Sequence, residues 1–63
     1  MVYKDIDKKL QANGWVKVRV HGSHNMYKHP DYTACLSVPG HGKDSVSKGV
    51  IRVLERETGL SFR

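Results

Sequence analysis

Apolar residues recur along the chain with two different periods, and the changes from one to the other divide it into five elements. Over residues 3 to 13 the positions Tyr3, Ile6 and Leu10 are spaced by three and four, so they share one face of a helix. Lys4, Asp5, Lys8, Lys9 and Gln11 take the other faces, and Asn13-Gly14 ends the helix. The period then falls to two. Val16, Val18 and Val20 alternate with Lys17 and Arg19, which predicts a strand over Trp15 to Val20. Its valine face is expected to pack on helices, leaving Trp15, Lys17 and Arg19 on the opposite side. Gly22-Ser23 reads as a tight turn into a returning strand that runs to His29. Pleat parity sets His24, Met26 and Lys28 on one face of that strand and Asn25, Tyr27 and His29 on the other, and the cation Lys28 marks the His24 face as the open one.

Pro30-Asp31 marks the next turn, and Thr33 to Val38 reads as a third antiparallel strand with Ala34, Leu36 and Val38 inward. Pro39 to Asp44 is a loop with two glycines around His41. Ser45 or Ser47 then caps a second helix over residues 47 to 58. Val50, Ile51, Leu54 and Val53 form its apolar face, Lys48, Arg52, Glu55, Arg56 and Glu57 lie outside, Gly59 closes it and Leu60 folds back on its last turn. The order α-β-β-β-α predicts an α+β fold of the double-stranded-RNA-binding type, one domain over residues 1–63, in which two helices cover one face of a three-stranded antiparallel sheet.

Composition narrows what such a fold can do. Sixty-three residues is near the lower size for a core held without disulfides or metal, and leaves no room for a deep substrate cavity. A site must lie on an open surface. The net charge of +5, from 11 Lys and Arg against 6 Asp and Glu, attracts polyanions such as nucleic acid, or an acidic protein. The single cysteine, Cys35, cannot staple the fold and reads as a small residue of the core or its margin. No segment has the length of a signal peptide's apolar region, or approaches the ~20 apolar residues of a membrane span. A soluble protein of the bacterial cytoplasm, away from membranes, is expected.

The candidate chemistry centres on Gly22-Ser23-His24. Histidine is the side chain whose ordinary pKa, about 6.5, lets it both accept and donate a proton near neutral pH, and a glycine turn sets it at the mouth of a hairpin. Lys17, Arg19 and Lys28 add cations suited to phosphates. A metal is not expected: His21, His24 and Cys35 lack the paired spacing of zinc sites, and the carboxylates are scattered.

Asn13-Gly14-Trp15, Val18-Arg19, Gly22-Ser23-His24, Lys28-His29-Pro30, Val38-Pro39 with His41, Lys48-Gly49 and Gly59-Leu60 form an ordered set covering nearly the whole chain. In that order and spacing they resemble the HicA toxins. The departures are Gly40 and Gly42 in the loop and Val50 where the family often has threonine. The resemblance implies the toxin of a toxin–antitoxin pair, an mRNA interferase with a double-stranded-RNA-binding-like fold, checked by a cognate HicB-type antitoxin. It implies that His24 is the catalytic histidine and that Gly22 and Ser23 belong to the same motif.

Cutting RNA without a metal or other cofactor uses the neighbouring 2′-hydroxyl as nucleophile, and needs a proton acceptor, a support for the charged phosphorane and a proton for the leaving 5′-oxygen. His24 suits proton transfer, with Lys28, Lys17 and Arg19 on phosphates. His29 and His41 are the candidates for a second acid or base, but His29 falls on the opposite pleat parity and His41 on a loop, so an interferase that uses a single histidine as general acid/base is the reading adopted. A non-catalytic RNA-binding module and a protein-interaction domain are the alternative readings of the same face.

Overall fold

The computed structural model describes residues 1–62. Tyr3, Ile6 and Leu10 line one face of helix α1 (Tyr3–Ala12) and all three are buried. Its first N–H groups find no capping side chain; instead Tyr3 N donates to Asp44 O at 2.8 Å and Lys4 N to Gly42 O at 2.9 Å, so the loop before the second helix closes the start of the first. At the other end Gly14 has φ +92°, and Trp15 N reaches back to Leu10 O at 3.0 Å. Helix α2 (Lys48–Thr58) is capped by Ser47, whose Oγ accepts from Val50 N at 3.3 Å, and Gly59 closes it by donating to Glu55 O at 2.8 Å.

Between the helices, β1 (Val16–His21), β2 (His24–Lys28) and β3 (Leu36–Pro39) form an antiparallel sheet in the order β1-β2-β3. Tyr27, Leu36 and Val38 enter one cluster with Tyr3, Ile6, Leu10 and Leu54, so both helices lie over the same sheet face. The expected α-β-β-β-α arrangement is the one observed. In β2 the parity is as read from the sequence: Asn25 and Tyr27 are buried, His24 and Lys28 exposed, and Met26 intermediate. Leu60 packs on the core as expected, and Val50 and Ile51 are partly buried beside Leu54, while Val53 is exposed.

Strand β1 departs from the reading of the sequence. Its alternation is real, but in its first half the two faces are exchanged. Val16, Val18 and Val20 are 57%, 53% and 59% exposed, whereas Trp15 is 3% exposed. Trp15 packs against the rings of His29 and Tyr32 at 5.1 and 5.0 Å between centroids, and Lys17 lies opposite the buried Tyr27, on the helix side. A bulge then changes the phase. Lys17 pairs with Tyr27 and Arg19 with Met26, so Val18 is the extra residue. Beyond the bulge Arg19 and His21 oppose Met26 and His24 and face the open side. Val20, opposite buried Asn25, faces the helix side, yet on an edge strand that leaves it uncovered.

Two smaller corrections concern the third strand. It begins at Leu36, not Thr33, and Ala34 and Cys35 are exposed, so the cysteine is no part of the core. The core gains Val46, Thr58 and Phe62 instead. Phe62 N donates to Glu55 Oε2 at 3.1 Å, Lys9 donates to the Ser61 carbonyl, and Thr58 Oγ1 donates to Leu54 O at 2.7 Å, so the segment after α2 is bound back onto both helices.

Beneath the sheet lies a polar cluster. Tyr27 OH donates to Asp7 Oδ1 at 2.5 Å, which leaves Tyr3 OH to donate to Tyr27 O, also at 2.5 Å. Gln11 Nε2 donates to the same Asp7 oxygen at 2.9 Å, and Lys17 Nζ stands 3.9 Å from it. Burial raises the Asp7 pKa, but the bonds from Tyr27 and Gln11 and the Lys17 charge outweigh it, and the carboxyl is held below its ordinary value. Burial first, and then the neighbouring Asp7 and Tyr3, push the Tyr27 phenol far above its ordinary range. The neighbouring Tyr3 is the largest cause of a raised pKa at Lys17; burial opposes it, and the Asp7 charge adds to it.

Candidate functional site

The open face of the sheet is a shallow concavity of about 660 Å³, and it is where the chemistry of the chain collects. The turn that builds it is short. His21 and His24 are directly opposed across the two residues Gly22 and Ser23, and Gly22 has φ +61°, a conformation a side chain disfavours. Gly40 N donates to Ser23 O at 2.8 Å, so the turn is fastened to the end of β3. Buried Asn25 reinforces the same corner, its Nδ2 donating to Val38 O at 3.0 Å and Gly40 O at 2.7 Å. Gly22 and Ser23 therefore position His24, and their own side chains contribute little surface to the concavity.

His24 is exposed and lines the concavity with Arg19 and Lys28, one cation from each of two adjacent strands. Val18, Met26, Cys35 and Ser37 complete its floor and rim. A flat apolar floor edged by two cations can receive a strand whose bases stack and whose phosphates are held. Lys17, grouped with Arg19 by sequence, is on the other face beside Asp7, its Nζ 5.5 Å from the centroid of the Tyr3 ring. It belongs to the polar cluster under the sheet.

The two candidates for a second acid or base lie elsewhere. The His29 ring is largely buried between Trp15 and Tyr32, and both nitrogens are engaged: Nε2 with Asn13 O at 3.1 Å, and Nδ1 accepting from Asp31 N at 3.0 Å. With Nδ1 accepting and Nε2–H donating, the ring is a neutral structural brace. A Cβ on Gly14 would stand 2.7 Å from His29 Nε2, so the glycine is also required for the ring to dock. His41 belongs to the loop, where its Nδ1 is 2.9 Å from Asp44 Oδ2.

The residue that sequence reasoning passed over is His21. It lines the concavity with His24, and the signal for it was present: in a hairpin with a two-residue turn the flanking residues are direct neighbours on one face. Among the described residues, no three His, Cys, Asp or Glu side chains converge as ligands of a metal ion would, and no helix is long and apolar enough to cross a membrane.

No curated protein matches the chain. A family model described as the HicA toxin of bacterial toxin-antitoxin matches residues 3–60.

Proposed function

The chain belongs to the HicA toxin family of bacterial toxin–antitoxin systems, and from that premise we propose that it is an endoribonuclease acting on mRNA in the bacterial cytoplasm. The observation that carries the reading is the exposed His24 imidazole at the hairpin end of an open sheet face that also carries Arg19 and Lys28. Arg19 and Lys28 hold phosphates farther along the same face and help offset the charge that builds on the scissile one. His24 transfers a proton during attack of the 2′-hydroxyl on phosphorus, a step for which a positioned group typically contributes about 10²–10⁴-fold. The products are a 2′,3′-cyclic phosphate and a 5′-hydroxyl, and the reaction needs no metal. Lys17 is withdrawn from the substrate-binding set, since it serves Asp7 and Tyr3.

A toxin of this kind has an antitoxin, and a HicB-type protein that covers the concavity with carboxylates would block His24 while neutralising part of the net charge of +5. The test is RNA incubated with the purified chain in EDTA, followed by analysis of product ends. Cyclic phosphate ends that fall by 10²-fold or more with His24→Ala support the nuclease, on the order of a lost general acid or base. RNA bound but left uncut by the parent chain refutes it, and leaves a binding module.

A further inference from the structure

Transfer of a phosphoryl group from the 5′-oxygen to the 2′-oxygen moves two protons at opposite ends of a line through phosphorus. One leaves the attacking 2′-hydroxyl and one must reach the departing 5′-oxygen. A single imidazole cannot be at both ends at once, so an efficient site needs a second group on the far side of the phosphate. The chain has four histidines. His29 has both nitrogens bound in a packed cluster and His41 is held by Asp44 in the loop. The remaining two are the cross-strand pair.

We propose that His21 is the second proton-transfer residue, acting with His24 on one scissile phosphate seated between the two rings. The inference rests on the nuclease reading above. Its warrant is the register: His21 and His24 are directly opposed at the end of the hairpin, both exposed and both lining the same concavity. Opposed residues have Cβ atoms about 4.5–5.5 Å apart and project to the same side, so the two rings stand as a pair of posts with an opening between them. The two-residue turn creates the pair, and the bulge at Val18 leaves Lys17 on the far face while Arg19 shares theirs. The other titratable or charged groups on this face are Arg19 from β1, Lys28 from β2 and Cys35 just before β3; the helices lie on the far side of the sheet. Both cations attract the phosphate to the face that carries the pair.

In the step proposed, one imidazole takes the 2′-hydroxyl proton as the O2′–P bond forms. The other, entering as imidazolium, gives its proton to the 5′-oxygen as the P–O5′ bond breaks. The electron pair of the broken bond stays on the 5′-oxygen and nothing is oxidised or reduced. The pair ends with its protonation exchanged, and proton exchange with water restores it.

The experiment compares the parent chain with His21→Gln and His21→Thr, the latter a strand former, after confirming equal melting temperatures. On RNA, kcat should fall by about 10²–10⁴-fold with KM little changed, and a two-limbed pH profile should lose one limb. A nucleoside 3′-(4-nitrophenyl phosphate), whose leaving group needs no proton, should be cleaved at close to the parent rate by the variant lacking the acid and poorly by the variant lacking the base. Retention of both limbs, a change confined to KM, or equal loss of nitrophenyl cleavage by the His21 and His24 variants overturns the pairing. If His24→Ala abolishes cutting while His21→Gln leaves it intact, this inference alone fails. If the parent chain does not cut RNA, the nuclease reading fails with it.

Discussion

Replacing Tyr27 by phenylalanine removes one oxygen from the interior and tests the polar cluster beneath the sheet. The side chain is fully buried, and its hydroxyl donates to Asp7 Oδ1 and accepts from Tyr3 OH, each at 2.5 Å. A hydrogen bond to a charged group contributes about 1.5–3 kcal/mol. Gln11 and Lys17 remain on Asp7 in the variant, so the carboxylate is not abandoned, and the cost should stay within that range. For a domain of this size each kcal/mol moves the melting temperature by about 4–8 °C, so Tyr27→Phe should melt roughly 6–24 °C below the parent at pH 7. The penalty should also depend on pH. Because the folded pKa of Asp7 lies below its ordinary 3.8, its contribution is present above that value and disappears as pH falls through the folded pKa. Once the Asp7 carboxyl is protonated the bond joins two neutral groups, and the cost should shrink to about 0.5–1.5 kcal/mol. Urea titrations of both chains between pH 2 and 7 read this directly. A penalty below about 0.5 kcal/mol at neutral pH, or one that does not vary with pH, would show that the Tyr3–Tyr27–Asp7 cluster adds nothing beyond the packing of the rings.

Two further substitutions test how the site is supported. Gly14→Ala should cost clearly more than Gly22→Ala: both positions have positive φ, at about 1–2 kcal/mol for an L side chain, but only at Gly14 would the new Cβ meet His29 Nε2 at 2.7 Å. Equal unfolding free energies for the two variants would mean that the His29 ring moves aside freely. Asn25→Asp places acceptors against the Val38 and Gly40 carbonyls that now receive the amide, and should cost on the order of 3 kcal/mol at pH 7. The loss should ease in acid, because a protonated carboxyl can donate once; a variant as stable as the parent at neutral pH would rule out this support for the turn.

The helices could be read from the chain because their apolar residues are asymmetric. Tyr3, Ile6 and Leu10 share a face at helical spacing, and Gly14 and Gly59 end the two helices as expected. Strand β2 was legible for a similar reason, since Lys28 could lie on only one of its faces at low cost. Strand β1 offered no such clue. Three valines facing two cations look like a buried face and a wet one, yet here the valines follow strand propensity on an edge strand, while Trp15 and Lys17 have specific partners in His29, Tyr32 and Asp7. Those partners come from distant segments that no local pattern connects. The bulge at Val18 was hidden for the same reason. His24 stood out as a candidate because its turn has its own sequence signature; the placement of Arg19 and Lys17 follows from a register that only pairing defines.

Both helices lie on one side of the sheet, so the interior that decides whether the chain holds its shape and the surface that meets a polyanion share a backbone and few side-chain neighbours. Drift in one is therefore nearly independent of drift in the other. A lineage can retune or erase what the exposed residues recognise without first repairing its interior, and an inert descendant would be as durable as an active one. Survival of the fold in a genome is accordingly a poor guide to survival of its chemistry.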